Sequence, residues 1–156
     1  MIDQQNFERL TALAYQWAKQ QEDFVLAHGF PLTARLLDDA RLAGVRDCCK
    51  IRVLMVDRIP LPDDPELAET TRHAGIITDE TRCMSVGHAI VIRDDCWGDR
   101  ELLLHNLIHI AQCEESGGLE PWIYRYLNDR RNCAKFTLGF LEEDARARAR
   151  EMCARS

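Results

Sequence analysis

The sequence lacks a basic surplus: 20 Lys and Arg stand against 26 Asp and Glu, for a formal charge of −6. That balance excludes the net-basic footprint on which nucleic-acid binding relies. No apolar run approaches the roughly eighteen residues a bilayer span needs, so no membrane partner is expected. The polar start, Met1-Ile2-Asp3-Gln4-Gln5-Asn6, has neither a basic n-region nor an apolar h-region, so no signal peptide is read there and a cytoplasmic location is expected. The seven cysteines (48, 49, 83, 96, 113, 133 and 153) contain no C-x-x-C pair and are odd in number. A disulfide frame and a Cys-rich zinc knuckle are thereby disfavoured, and free thiols, several of them buried, are expected. Internal repeats, low-complexity tracts and interdomain linkers are also missing, and 156 residues suit one domain spanning 1–156.

What is present is mainly helical patterning. Phe7, Leu10, Ala14 and Trp17 recur at helical spacing, as do Leu32, Leu36, Leu37 and Ala40 after Phe30-Pro31, which predicts two N-terminal helices within 1–48. Residues 50–56 are rich in β-branched side chains and stop at a Pro-rich loop near 60–65, which predicts a strand. A second strand is predicted at 88–93, before the turn that contains Trp97-Gly98-Asp99. Helices are then predicted over about 99–116, 120–131 and 140–153, with Asp99 as an N-cap, Trp97 as an apolar brace, and Pro121 in the permitted first turn. The stretch Arg146-Ala147-Arg148-Ala149-Arg150 is interleaved with acidic residues and reads as a solvated helix face. The class is α+β, helix-dominated, with a small sheet.

Chemistry concentrates in Glu101-Leu102-Leu103-Leu104-His105-Asn106-Leu107-Ile108-His109-Ile110-Ala111-Gln112-Cys113. At 100° per residue, with His105 at zero, His109 falls at about 40°, Gln112 at about −20° and Asn106 at about 100°, and apolar side chains fill most of the opposite arc. Two histidines at i and i+4 on one face can reach one zinc ion, the helical half of an H-E-x-x-H site. The competing reading is a pair of core histidines satisfied by carbonyls or carboxylates. A third donor is needed. Cys113 lies about 12 Å along the axis from His105 and is too far. Glu142 is the better donor, because it shares one side of the last helix with Ala145, Ala149 and Met152.

The string His105-Asn106-Leu107-Ile108-His109 followed by Gln112, with Glu142-x-x-Ala145 downstream, resembles the gluzincin clan of zinc metallopeptidases. More closely, the run from Ala89 through Trp97-Gly98-Asp99 into this helix, and then Gly117-Gly118, looks like small bacterial proteins of minigluzincin type. The likeness covers about 50–153, the part that would hold the metal core, and is strongest over 87–127. It implies a zincin-like fold with the sheet beside the metal helix, a strand lining a substrate cleft ahead of that helix, and zinc held by His105, His109 and Glu142. It also implies a peptide or protein substrate cleaved by metal-activated water. One departure matters. Asn106 stands where the general-base glutamate belongs, and an amide cannot take a proton from water, so activity should fall by about 10²- to 10⁴-fold. The alternative function is an inactive, zinc-stabilised binding module.

Other residues carry open alternatives. Tyr124 or Tyr126 either supplies a phenolic donor to an oxyanion or packs against Trp122. His88 either contacts substrate or is an exposed loop histidine. Asp129 and Asp144 are both candidate acceptors for the free N–H of a ligand histidine, with no spacing to choose between them. Glu101 and Glu114 should not reach the water.

Overall fold

The computed structural model describes residues 3–133 and 137–155. Six helices and a four-stranded mixed sheet are found among them. Asp3 starts α1 (Gln4–His28) by accepting the Asn6 N–H at 2.8 Å, and Thr33 does the same for Leu36 at the head of α2 (Ala34–Ala43). Between these helices runs the two-residue strand β1 (Phe30–Pro31). The expected strand at 50–56 is β2 (Arg52–Val56). The Pro-rich loop after it turns into a helix that periodicity did not reveal, α3 (Pro65–His73), capped by Asp64 and opened by Pro65 at its first position.

Beyond α3 a hairpin forms from β3 (Cys83–Val86) and β4 (Ala89–Arg93), paired antiparallel with Val86 opposite Ala89. Only Gly87 and His88 lie in the turn. Gly87 has φ +60, and a Cβ there would overlap the Glu22 carboxylate, so both backbone and space demand glycine. β4 also pairs parallel to β2, giving the order β1-β2-β4-β3 with β3 at an edge. The strand expected to line the cleft, 88–93, is instead buried in the middle of the sheet, and its neighbour β3 carries the open edge.

Central β4 is apolar on both faces because both are covered. Ile90 and Ile92 face the larger core with Leu104, Leu107 and Ile108, while Ala89 and Val91 face a second cluster with Ala18 and Val25 of α1. The larger core is completed by α4 (Arg100–Glu115), α2 and α6 (Phe140–Ala154), whose small Ala145 and Ala149 let α6 lie closely along α4. α5 (Leu119–Asn132) packs on α1 and on α4. The helices expected at 99–116, 120–131 and 140–153 thus correspond to α4, α5 and α6. No described helix is long and apolar enough to cross a membrane.

Candidate metal centre

The helix that carries the histidines is fixed at its start. Asp99 accepts the Leu102 N–H at 3.1 Å, Trp97 stands edge-on to Phe30 with ring centroids 5.3 Å apart, and Arg100 forms a forked pair with the buried Asp39. Leu103, Leu104, Leu107, Ile108 and Ile110 are buried, so the polar side chains of α4 leave through one narrow stripe. His109, Asn106 and Gln112 on that stripe are themselves almost fully buried, and polar groups so placed need partners.

Those partners converge. His105 Nε2 lies 3.0 Å from Glu142 Oε2 and 3.0 Å from His109 Nε2, which is 3.1 Å from Glu142 Oε1. All three donor groups lie within 4.8 Å of one another, so the trio could hold a metal ion. Two donors bound tetrahedrally to zinc would sit about 3.3 Å apart, given bonds of roughly 2.0–2.1 Å. The observed spacings are shorter by only a few tenths of an ångström, and the donor set suits the ion. Burial pushes the Glu142 carboxyl up, but hydrogen bonds from His105 and His109, the charge on His109 and the Tyr126 hydroxyl outweigh it and hold the group well below the usual carboxylate range.

The surroundings fix which atoms are available. Gln112 Nε2 donates to the Leu141 carbonyl and to Asp144 Oδ2, both at 3.2 Å. Gln112 Oε1 therefore faces His109 Nδ1 at 2.8 Å, where it can only accept. When an ion takes the place of the Nε2 proton that faces Glu142, the proton left on the ring is therefore the one on Nδ1, and the Nε2 lone pair serves the centre. Asp144, one of two acceptors considered from sequence, is reached through Gln112 and not directly. Asp129 instead accepts the Leu141 N–H at 2.9 Å near the start of α6.

The tyrosine at the centre is Tyr126. Its hydroxyl donates to Glu142 Oε1 at 2.6 Å. Burial first, and then the Glu142 charge, raise its pKa well above the ordinary phenol value, so it stays a donor. Tyr124, the other candidate read from the sequence, is 44% exposed and packs edge-on to Phe7. Helical geometry explains the difference, because residues two apart point away from each other and only one of the pair can face α4.

Asn106 donates from Nδ2 to the Leu102 carbonyl, one turn back, at 3.0 Å, and its amide lines the cleft beside His109. Cys113 is buried between Trp122 and Leu141, apart from the trio. Glu114 points away, as expected, and takes His88 with it. Glu114 accepts the backbone N–H groups of Arg46 (2.7 Å) and Asp47 (3.0 Å), and its Oε2 lies 2.8 Å from His88 Nε2. His88 is therefore a tethered, half-buried residue and not an exposed loop histidine. Asp47, His88 and Glu114 also lie within reach of a common ion, but both Glu114 oxygens are already bonded to protein, so the group reads as a clamp between α4 and the 45–48 loop.

Two chambers meet at the trio. One, of about 140 Å³, is apolar and walled by Trp17, Leu67, Met84, Trp122 and Ile123. The other, of about 520 Å³, is polar and includes Arg82, Arg146 and Arg150. Asn106, His109, Tyr126, Glu142 and Cys83 line both, so β3 runs beside their junction. Comparison with known proteins gives no matching family model, no similar curated protein and no similar solved structure.

Proposed function

We propose that the chain is a zinc-binding protein of metallopeptidase type with a zincin-like arrangement, in which His105, His109 and Glu142 hold the ion and a peptide lies in the cleft beside β3. The observation that carries this reading is the meeting of two Nε2 atoms and one carboxylate at the junction of two chambers next to an open sheet edge. The resemblance to gluzincins of the segment that supplies these residues supports it. Zinc at such a site lowers the pKa of a water and polarises a carbonyl. The residues of the chain do the rest. Gln112 orients His109, Tyr126 orients Glu142, and an unpaired strand edge offers main-chain bonds to an extended peptide.

Asn106 limits the chemistry. Its amide is held by the Leu102 carbonyl and carries no basic atom, so no side chain at this position removes a proton. Cleavage is expected to be strongly impaired. The same observation favours a second reading, in which the zinc-tied helices form a module that binds a peptide without cutting it.

Zinc content decides the first point. Protein purified without added metal should carry about one zinc, and His109→Ala almost none. Equal content in both would remove the site. An Asn106→Glu variant separates the two readings. Zinc-dependent proteolysis rising by about 100-fold or more supports a disabled peptidase, and continued inertness across a peptide library supports the binding module.

A further inference from the structure

The cleft is chemically two-sided. On one side of the trio the walls are aromatic and aliphatic, and the chamber of about 140 Å³ suits one large apolar side chain. On the other side the chamber is wide and polar, and its arginines differ in how committed they are. Arg82 pairs with Asp99 at 3.2 Å, and Arg130 is bonded to the carbonyls of Leu138 and Ala74. Arg146 and Arg150 show no hydrogen bond or ion pair among the described residues, although they lie one and two turns beyond Glu142 on α6 and line the chamber.

The carboxylates of that chamber do not answer them. Asp99 is taken by Arg82 and by the α4 cap, and Glu142 belongs to the trio. Glu101 sits in the first turn of α4, where the helix dipole already favours its charge. Glu80 lies in the turn before β3. Four arginines thus face four carboxylates, and a bound divalent cation leaves the lobe net positive within a chain of charge −6. Two guanidinium groups a turn apart, with no partner among the described residues, form a receptor for a planar oxyanion.

The sheet edge supplies a direction. β3 runs from Cys83, which both chambers share, to Val86 in the apolar one, while Thr81 and Arg82 just before it line the polar one. Antiparallel pairing is the more stable ladder per residue, and a peptide added to β3 in that sense runs the opposite way, from the apolar chamber toward the arginines. Resting on the proposed peptide cleft, we infer that the bound segment carries a large apolar side chain on its N-terminal side and a carboxylate, from an acidic side chain or a free C-terminus, that pairs with Arg146 and Arg150.

The protein with Asn106 in place permits a binding test with little turnover. Zinc-loaded protein is titrated by fluorescence anisotropy with four labelled peptides: Gly-Phe-Gly-Glu-Gly and Gly-Phe-Gly-Gln-Gly with amidated ends, and Gly-Phe-Gly-Gly with an amidated or a free-acid end. We expect a carboxylate-bearing peptide to bind about tenfold more tightly than its neutral twin. That preference should fall to near unity in Arg146→Gln/Arg150→Gln, whose zinc content and Tm are measured alongside. A Glu-over-Gln preference identifies the acidic side chain as the source, and an acid-over-amide preference identifies the terminal carboxylate. Equal binding of all four peptides, no binding, or a preference that survives in the double variant overturns the inference. Zinc content separates the two failures, because a stoichiometric zinc protein without carboxylate preference refutes only this step, whereas a metal-free protein refutes the site itself.

Discussion

Gln112 Oε1 stands 2.8 Å from Nδ1 of His109, one turn earlier on the same helix. Because the other end of the amide is spent on Leu141 and Asp144, the side chain cannot flip without losing two bonds. It therefore keeps a proton on Nδ1 of the imidazole, the tautomer that the proposed zinc site requires. Gln112→Met, which keeps the volume and removes the acceptor, should weaken zinc binding by about 10- to 100-fold in competition with a colorimetric chelator. Gln112→Glu restores an acceptor and should recover part of that loss. An unchanged affinity in Gln112→Met would contradict the tautomer argument.

On the proposed zinc site, removing the ion should loosen the contact between α4 and α6, since His105 and His109 belong to one helix and Glu142 to the other. Free zinc at roughly 100 times Kd adds about 2.7 kcal/mol to the folded state. For a chain of this size that corresponds to a Tm increase of about 5–10 °C. Calorimetry should show the increase in the unsubstituted protein and none in His109→Ala. A Tm indifferent to zinc in both would contradict metal binding at the trio.

The Glu114 clamp should make part of the stability pH-dependent. Burial pushes its carboxyl up, but the Arg46 N–H, His88 and the Asp47 N–H outweigh burial and lower the pKa. A carboxyl whose folded value is depressed stabilises the fold fully above its unfolded value near 4.3, and this contribution is lost as the pH falls through the lower folded value. Glu114→Gln should cost about 1–3 kcal/mol near pH 7. In urea titrations the gap between the two proteins should close as the pH drops below about 4. A gap that widens on acidification would refute this account.

At Gly87 the hairpin turn and the Glu22 carboxylate compete for one small space. Glu22 uses that space to accept the His88 N–H at 2.9 Å, joining α1 to the turn. Gly87→Ala should destabilise by about 1–3 kcal/mol from backbone strain alone, plus the cost of displacing Glu22. In a Glu22→Ala background the second cost is already incurred, so the penalty should be smaller. Equal penalties in both backgrounds would show that strain alone is responsible.

The helices were legible because their signals are local. Apolar side chains at helical spacing, Asp99 before α4 and the small residues of α6 are all visible over a few turns of chain. His105, His109 and Glu142 were legible as a candidate donor set for the same reason, since two lie one turn apart and the third is a carboxylate among alanines. The edge strand was harder to see. β3 is four residues long, Cys83-Met84-Ser85-Val86, with weak alternation, and its one clear signal was a glycine in first place in a two-residue turn before the β-branched run. α3 was hidden by the prolines that announce a loop, although Asp64-Pro65 is also a helix opening. Choosing between Tyr124 and Tyr126 needed the rotation of α5 about its axis, and the His88–Glu114 pair spans 26 positions. Sequence spacing does not encode such tertiary contacts.

The third candidate donor comes from α6, while the first two belong to a helix wedged into the main core. On the proposed zinc site, α4 alone would offer an ion two nitrogens and no carboxylate, an incomplete grip. Docking of α6 would complete it, so retention of the ion would report directly on whether the two helices have closed together.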